Sequence, residues 1–339
     1  MLKALGALFT FAILAAISGA GFGYVWLRGE VTSPGPLAEE TVFRVAPGEN
    51  LNSVASRAQD AGILADPLVL RLHARLTGQE TALKIGEYPV PVGISPEGFL
   101  DLLVEGDVVQ HTITLPEGLT TAQILQRIAS DSRLEGALPD PPPEEGSLLP
   151  ETYAFTAATT KADFIARLQA AQAARLAALW DARAPGLPYE TPEEALIMAS
   201  IVQKEAGGAG EYGNVASVFI NRLERGMKLE TDVAVHYGVN GGAPLRNARG
   251  ERRTLYRSEL DRDTPYNTYT REGLPPTPIC NPGEGALEAA LNPPDTDFIF
   301  FVADGRGGSV FTTNYSDHQR AVAAYRAYER AEIARERGN

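Results

Sequence analysis

A run of eight residues in the middle of the chain, 195–202, is apolar at every position except Ser200. The residues before this run form a helix N-terminus, because Thr191 is a favourable N-cap and Glu194 completes a capping box with it. A helix that is apolar on nearly every side lies inside a domain, since none of its faces suits water. The sequence therefore predicts a central buried helix that ends near Gly207.

Glu205 is the unexpected residue of this helix. Residues three and four apart share a helix face, so Glu205 lies below Ile201 and Val202 on an apolar face. Desolvation and the negative end of the helix dipole both oppose ionisation there, which predicts a raised pKa. A carboxyl that is still protonated near neutral pH can act as a general acid. The alternative is a helix that frays at its end and leaves Glu205 in water.

The N-terminal residues predict a membrane anchor. Residues 4–27 carry no charge, and this length can cross a bilayer, which needs about 20 apolar residues. Tyr24 and Trp26 near the end of the run suit the interfacial aromatic belt. A cleaved signal peptide is the competing interpretation, but the apolar run continues past the small residues where cleavage would occur. We expect a single-pass anchor in the cell inner (cytoplasmic) membrane, a cytoplasmic N-terminus and an exported body after Glu30.

The composition of the exported body narrows its function. A net charge of −13 argues against nucleic acid as a partner and against binding anionic lipid by charge. The single cysteine, Cys280, excludes an internal disulfide, and its turn-forming neighbours include no histidine that would activate it as a nucleophile. The four histidines lack metal-ligand spacing, and no phosphate loop or dinucleotide fingerprint occurs. We therefore expect neither a metal nor a cofactor.

Prolines, glycines and hydrophobic periodicity predict an α+β protein with two folded domains. We expect a cytoplasmic tip and anchor over residues 1–30, a linker over 31–40, a small α+β domain over 41–135, and a mixed α+β catalytic domain around the buried helix over 145–335. On pattern alone, the small domain is equally compatible with glycan binding and with a structural spacer. The remaining expected elements are strands near 41–45, 83–90, 108–115, 298–302 and 308–311, and helices near 50–59, 66–76, 121–129, 162–180, 214–224 and 317–335, with a further helix that begins at residues 95–97.

The second half of the chain contains a loop that combines two aromatic rings with an amide and a hydroxyl. This loop consists of Tyr266, Asn267, Thr268 and Tyr269. Carbohydrate sites use aromatic faces for sugar rings and polar side chains for sugar hydroxyls. An ordinary structured loop is the alternative, and it is Glu205 that favours the carbohydrate interpretation.

Six separate stretches, in this order along the chain, resemble the MltG (YceG-like) endolytic murein transglycosylases. The stretches are ASIVQKE (199–205), VASVFINRL (215–223), LETD (229–232), PYNTY (265–269), GLPP (273–276) and NPG (281–283). The resemblance extends from about residue 41 to the final helix, with the apolar run in front of it.

The resemblance implies a LysM-like small domain and a second domain that cuts the glycan strands of peptidoglycan. The catalytic glutamate of the family matches Glu205, and the family implies peptidoglycan synthases as partners. Gln203 stands where a glutamate is common, which favours Glu205 over position 203 as the catalyst. Ser309 stands where a histidine is frequent, so a role for that position stays open.

One buried acid is enough for a lytic transglycosylase, whereas hydrolytic glycosidases usually use two carboxylates. Glu205 would protonate the oxygen between N-acetylmuramic acid (MurNAc) and N-acetylglucosamine (GlcNAc), and would then take the proton of the C6 hydroxyl as a 1,6-anhydro end forms. The positioning groups that we expect are Tyr153, Asn221, Asp232 and the loop 266–269. A membrane-tethered glycan-binding scaffold and a hydrolytic muramidase are the alternatives.

Overall fold

The computed structural model of the protein describes residues 2–338, so Met1 of the predicted cytoplasmic tip lies outside them. Contacts divide the chain into two compact units. The first extends to Thr112 and includes Ala154–Thr159, and the second comprises Ile113–Tyr153 and the residues from Thr160 onward. Both units contain helices, and short strands occur along both, which confirms the predicted α+β class. The predicted domain limits at 135 and 145 stay predictions.

The chain begins with a 31-residue helix, α1 (Leu2–Thr32). Its stretch Phe9–Thr32 is long and apolar enough to cross a membrane, and the side chains of residues 9–26 are exposed. The helix continues two residues into the predicted linker 31–40. It therefore fits the predicted anchor and extends beyond the end of the charge-free run.

The first unit packs three helices against a two-stranded sheet. The described elements are β1 (Thr41–Val45), α2 (Leu51–Asp60), α3 (Pro67–Thr77), β2 (Gly86–Val90) and α4 (Pro96–Glu105), and β3 (His111–Thr114) spans the division between the units. Strands β1 and β2 are antiparallel, with Thr41 opposite Val90. Phe43 and Phe99 meet edge to face in the core, with 5.3 Å between ring centroids, and Tyr88 is fully buried beside them.

The helix starts predicted in this unit are confirmed by their caps. The Asn50 side chain accepts a hydrogen bond from the Ser53 N–H and begins α2. The Asp66 side chain accepts one from the Leu68 N–H and begins α3. These bonds satisfy N–H groups that a helix cannot pair internally. Helix α3 ends at Gly78, whose φ of 72° lies in the left-handed region that glycine adopts most readily.

The second unit is mainly helical and carries a hairpin near its C-terminal end. Its elements are α5 (Thr121–Ser130), α6 (Lys161–Asp181), α7 (Pro192–Glu205), a 3₁₀ turn (Ala209–Glu211), α8 (Tyr212–Glu224), α9 (Asp232–Asn240), α10 (Arg257–Leu260), α11 (Glu284–Leu291), β5 (Phe300–Ala303), β6 (Ser309–Thr312) and α12 (Tyr315–Gly338), and β4 (Thr152–Phe155) spans the division between the units. Strands β5 and β6 are antiparallel, with Phe300 opposite Thr312.

Helix α7 is the predicted central buried helix. All eight residues from 195 to 202 are buried, and the predicted capping box of Thr191 and Glu194 is present. Helices α8 and α11 pack against α7 in one apolar core. The one polar residue of the run, Ser200, donates a hydrogen bond to the Ile197 carbonyl (2.7 Å) and accepts one from the Ile279 N–H (3.0 Å). Burying its hydroxyl therefore leaves no polar group without a partner.

The structure corrects two expectations about the second unit. Residues 298–302 were expected to form a buried strand, but β5 begins at Phe300 and its side chains are half-buried or exposed. Helices α9 and α11 were not expected, because the sequence after residue 226 is dominated by turn-forming residues. Helix α9 has nine residues and only two buried side chains, so its hydrophobic periodicity is weak.

Candidate active site

Glu205 is the last residue of helix α7, and its half-buried side chain faces a cavity of about 360 Å³ in the second unit. The cavity combines three carboxylates, one guanidinium and several aromatic rings. Its lining residues are Glu205, Phe219, Arg222, Leu229, Glu230, Asp232, Tyr269, Phe300, Phe301, Tyr315 and His318. The helix does not fray before Glu205, so the carboxyl lies in a cavity rather than on an open surface.

The surroundings of Glu205 raise the pKa of its carboxyl. Burial is the largest cause, and the negative charge of Asp232 acts in the same direction. Hydrogen bonds from the Thr231 hydroxyl and the Val233 backbone N–H oppose this rise, because both stabilise the ionised carboxylate. Burial prevails, so the predicted direction of the pKa shift is confirmed. The carboxyl can therefore hold a proton at a pH where an exposed glutamate would have lost it.

Thr231 is held in place by Thr268 from the predicted carbohydrate loop. The Thr231 N–H donates to the Thr268 hydroxyl oxygen (2.9 Å), and the Thr268 hydroxyl donates to the Thr231 carbonyl (3.2 Å). Both threonines are almost completely buried. Thr231 occupies the N-cap position of α9, yet its hydroxyl does not cap that helix. The hydroxyl is therefore available to Glu205.

Replacing Thr231 with valine should move the alkaline limb of the pH–activity profile upward. As the predicted general acid, Glu205 would lose its proton as pH rises through its pKa, and valine removes a hydrogen bond that stabilises the carboxylate. A hydrogen bond to a charged group contributes about 1.5–3 kcal/mol, so we expect a shift of about one pH unit or more. Thr231→Ser keeps the hydroxyl and is the matched control. Identical alkaline limbs in both variants would show that Thr231 does not tune Glu205.

Asp232 and Tyr269, two of the predicted positioning residues, meet at the cavity. The Tyr269 hydroxyl donates to Asp232 Oδ1 over 2.7 Å. Burial and the neighbouring carboxylates raise the pKa of Tyr269, so it stays a neutral hydrogen-bond donor. Asp232 is the first residue of α9, where a negative charge suits the helix dipole. The pair provides an oriented carboxylate next to the candidate acid.

An arginine, an aromatic ring and a histidine form another part of the lining. The Arg222 guanidinium donates to the carbonyls of Ile299 (2.8 Å) and Leu229 (2.8 Å). Its carbon Cζ lies 5.2 Å from the Phe300 ring centroid, and His318 stacks on the same ring at 4.9 Å. Burial and the nearby Arg222 lower the pKa of His318. The stack therefore presents an aromatic surface with a neutral imidazole, which is suited to a sugar face.

Glu230 lines the same cavity with an unusual backbone conformation. Its φ is 53°, in the left-handed region that residues other than glycine rarely adopt. The carboxylate is half exposed and lies 3.3 Å from Arg222 Nη1, while the Glu230 N–H donates to the Thr268 carbonyl (3.2 Å). Backbone strain of this kind persists only where the surrounding structure enforces it, and it is frequent at functional sites.

Two predicted positioning residues outside the loop do not line the cavity. The Tyr153 hydroxyl donates to the Leu149 carbonyl (2.9 Å), its ring packs edge to face on Phe164, and burial raises its pKa to about 12. The Asn221 amide donates to the carbonyls of Thr296 (2.7 Å) and Phe298 (2.9 Å). These bonds stabilise the second unit, and Asn221 fixes the segment that leads into β5.

Only Tyr269 of the four loop residues lines the cavity. The Asn267 amide donates to the carbonyls of Leu260 and Arg262 and folds the loop on itself. The Tyr266 hydroxyl is bonded to the Thr277 hydroxyl at 2.7 Å. Thr268 reaches the site indirectly through Thr231. The loop therefore supplies one lining residue and one support, and its other two members hold its shape.

The remaining sequence candidates have structural partners. Gln203 donates to the Tyr212 hydroxyl (2.6 Å) and accepts from the Gly283 N–H (2.9 Å), so it joins α7 to the turn before α11. Ser309 donates to the Glu211 carboxylate through its N–H (2.5 Å) and its hydroxyl (3.0 Å). Cys280 is fully buried, and burial raises the pKa of its thiol. A reactive thiolate is therefore disfavoured at Cys280.

Several residues in or beside the cavity were not expected from the sequence. Thr231 and Glu230 lie within the LETD stretch, so their position next to Asp232 was a usable signal. Arg222 follows Asn221 in a helix with an apolar stripe, and a charged residue in such a helix often has a buried role. Phe300 and His318 gave no local signal, because their place in the cavity depends on how the hairpin and α12 pack.

Comparisons with known proteins agree on one family. A family model described as the YceG-like family matches residues 43–324. A Bacillus subtilis protein named endolytic murein transglycosylase is 27% identical over 313 residues, which are 84% of this chain and 84% of that protein. A Streptococcus pneumoniae protein of the same name is 27% identical over 362 residues, and the match covers 93% of this chain and 64% of that protein.

A solved structure gives a further comparison. The 2.6 Å crystal structure of a YceG-like protein from Listeria monocytogenes matches 83% of this chain and 99% of its own chain, with 24% identity and a TM-score of 0.49.

Proposed function

This chain belongs to the YceG-like family, and we propose that it is a membrane-anchored endolytic peptidoglycan transglycosylase. It cleaves the MurNAc–GlcNAc bond within glycan strands and leaves 1,6-anhydro-MurNAc ends. The observation that carries this proposal is Glu205, a carboxyl with a raised pKa beside a cavity of sugar size. The names of the similar bacterial proteins supply the substrate class.

In the first step, Glu205 gives its proton to the oxygen that bridges the two sugars. The bond between C1 of MurNAc and this oxygen breaks, and the GlcNAc end departs with a new hydroxyl. Positive charge develops at C1, where the acetamido group of the same sugar stabilises it. Asp232 lines the same cavity as Glu205, and the charge of its carboxylate favours this positive charge electrostatically.

In the second step, ionised Glu205 takes the proton of the C6 hydroxyl as its oxygen bonds to C1. The Thr231 hydroxyl and the Val233 N–H stabilise the carboxylate between the two steps. Val233 lies in the first turn of α9, where the helix dipole also favours negative charge. The anhydro ring closes, Glu205 regains its proton, and no water is consumed.

Hydrolysis is the second candidate function, because the cavity contains carboxylates other than Glu205. Asp232 could activate water in the manner of a hydrolytic glycosidase. Against this role, its Oδ1 already accepts the Tyr269 hydroxyl. The Glu230 carboxylate is likewise paired, with Arg222. Both observations favour transglycosylation.

We infer the location of the enzyme from α1 and from the family resemblance. We place the N-terminus in the cytoplasm, α1 in the inner (cytoplasmic) membrane and the second unit outside it. The small domain over 41–135 is LysM-like in this proposal and contributes to glycan binding. The partners that we propose for an enzyme at this location are the peptidoglycan synthases that produce nascent strands.

The mass of the products tests the proposed function. Nascent glycan strands are digested with the full-length protein in detergent, and the new ends are weighed by mass spectrometry. We expect ends that are lighter by one water than reducing ends. Reducing ends would identify a muramidase, and uncleaved strands with retained binding would identify a scaffold.

A further inference from the structure

Helix α3 of the first unit packs against the C-terminal end of α1. Leu27 and Val31 of α1 are buried, and they form a small cluster with Val69 and Leu72 of α3. This cluster is separate from the main core of the unit. A helix that crosses a bilayer and then packs on a domain fixes how far that domain lies from the bilayer.

The membrane surface crosses α1 close to this cluster. The charge-free run ends at Leu27 and is followed by Arg28 and Glu30. Tyr24 and Trp26 are exposed on α1 just before this point, and such rings prefer the level of the lipid headgroups. Leu27 therefore lies at the interface, and the part of α3 that contacts it lies there too.

A stripe of leucines on α3 passes through this contact. Leu68, Leu72 and Leu76 are four residues apart and share one face of the helix. Leu72 packs against the end of α1, whereas Leu68 and Leu76 are 48% and 67% exposed. Each exposed leucine lies about 6 Å along the helix from Leu72. The interfacial layer on each side of a bilayer is roughly 5–8 Å thick, so both leucines are within its reach.

Most charges near this stripe are compatible with contact with lipid. Helix α3 itself contains no acidic residue, and it carries Arg71 and Arg75 on the same side as the leucines. Glu80 pairs with Arg75 at 3.1 Å and Glu97 lies 4.0 Å from Arg28, whereas the exposed N-cap Asp66 accepts the Leu68 N–H at 2.8 Å. Arginine stems can cover apolar surface while their guanidinium groups reach lipid phosphates.

We propose that α3 is a membrane-interface helix, which inserts Leu68 and Leu76 between the lipid headgroups beside the anchor. The attraction comes from apolar burial, which is compatible with the net charge of −13. The first unit is thereby held against the membrane surface by two contacts, the anchor and α3. This inference rests on the proposed anchor and does not depend on the proposed enzymatic activity.

Site-specific labels in the full-length protein test this proposal. Leu68→Cys and Leu76→Cys are labelled with an environment-sensitive, thiol-reactive fluorophore and reconstituted in phospholipid nanodiscs. The native Cys280 is fully buried, so the label reports the introduced position. Val42→Cys, at an exposed position of strand β1 in the same unit, is the control outside α1 and α3. Phe22→Cys, exposed on α1, reports whether the anchor is inserted.

In nanodiscs, we expect the fluorophores at positions 68 and 76 to emit at shorter wavelength than the free fluorophore does in detergent-free buffer. We also expect nitroxide-bearing lipids to quench them, while the label at Val42 stays unquenched. If the label at Phe22 is quenched and those at Leu68 and Leu76 behave like that at Val42, α3 does not contact lipid. Quenching at all four positions would overturn the assignment to α3. A label at Phe22 that is not quenched would overturn the anchor itself.

Discussion

Replacing Glu205 with glutamine is expected to reduce strand cleavage by about a hundred- to ten-thousandfold, the usual contribution of general acid–base catalysis. Glutamine has the same shape and can still accept the Thr231 hydroxyl, but it has no proton to give and cannot take one back. The measurement is the rate at which anhydro ends appear at equal protein concentration. Glu193→Gln, at the exposed start of the same helix, should leave the rate unchanged.

Glu205→Gln should also be more stable than the wild type at high pH. The folded state raises the pKa of Glu205, so folding resists its ionisation. Below the pKa of Glu205 in the unfolded state, about 4.3, both states are protonated and the pKa shift does not affect stability. Above the pKa in the folded state, the ionisation of Glu205 destabilises the fold by its full amount. Glu205→Gln should therefore raise the melting temperature near pH 8 and leave it unchanged near pH 4. Lost activity with retained or increased stability excludes misfolding as the cause.

A wild-type rate in Glu205→Gln would remove Glu205 as the acid. An equal loss in Glu205→Gln and Glu193→Gln would show that helix α7 responds to any loss of charge. Neither result is expected, because Glu193 lies at the opposite end of α7, in its first turn.

Asn281→Ala should destabilise the second unit more than any surface change. Asn281 is fully buried, and its Oδ1 accepts from the Leu148 N–H over 2.8 Å. Its amide donates to the Leu119 carbonyl and the Glu145 carboxylate at 3.1 and 3.2 Å. Alanine would leave the buried Leu148 N–H without this partner, whereas the Leu119 carbonyl keeps the Asn281 backbone N–H and Glu145 keeps Thr121. Since an unsatisfied buried group costs about 1–3 kcal/mol, we expect a loss of about 1–3 kcal/mol in the free energy of unfolding.

Thermal unfolding of the full-length protein in detergent measures this effect. Asn52→Ala, on the exposed side of α2, is the control and should change stability by less than about 0.5 kcal/mol. A similar melting temperature for the two variants would show that the hydrogen bonds of the Asn281 side chain do not stabilise the second unit.

The helix that carries the candidate acid was predictable because its signals are local. Thr191 and Glu194 form the capping box, and the apolar run that follows defines a buried helix without knowledge of its neighbours. The position of Glu205 at the end of this helix follows from helix periodicity alone. Predicting the raised pKa required one further assumption, that other residues cover the end of the helix. The structure agrees with this assumption, because Glu205 lines a cavity.

The rest of the site was not predictable in this way, because its contacts join distant parts of the chain. Arg222 bonds to the Ile299 carbonyl, 77 positions away, and this contact depends on how the hairpin packs on α8. Asn221 and Tyr153 were sensible polar candidates, but each has backbone partners that the sequence does not reveal. Thr268 was selected as a sugar contact, and it instead supports the residue that bonds to Glu205.

The cavity beside Glu205 includes two residues from the final helix, Tyr315 and His318. Both residues follow Glu205 by more than 100 positions, so they are synthesised long after the acid itself. Until α12 has docked on β5, the cavity lacks two of its lining side chains. A truncated protein that stops before Tyr315 would therefore carry Glu205 beside an incomplete cavity.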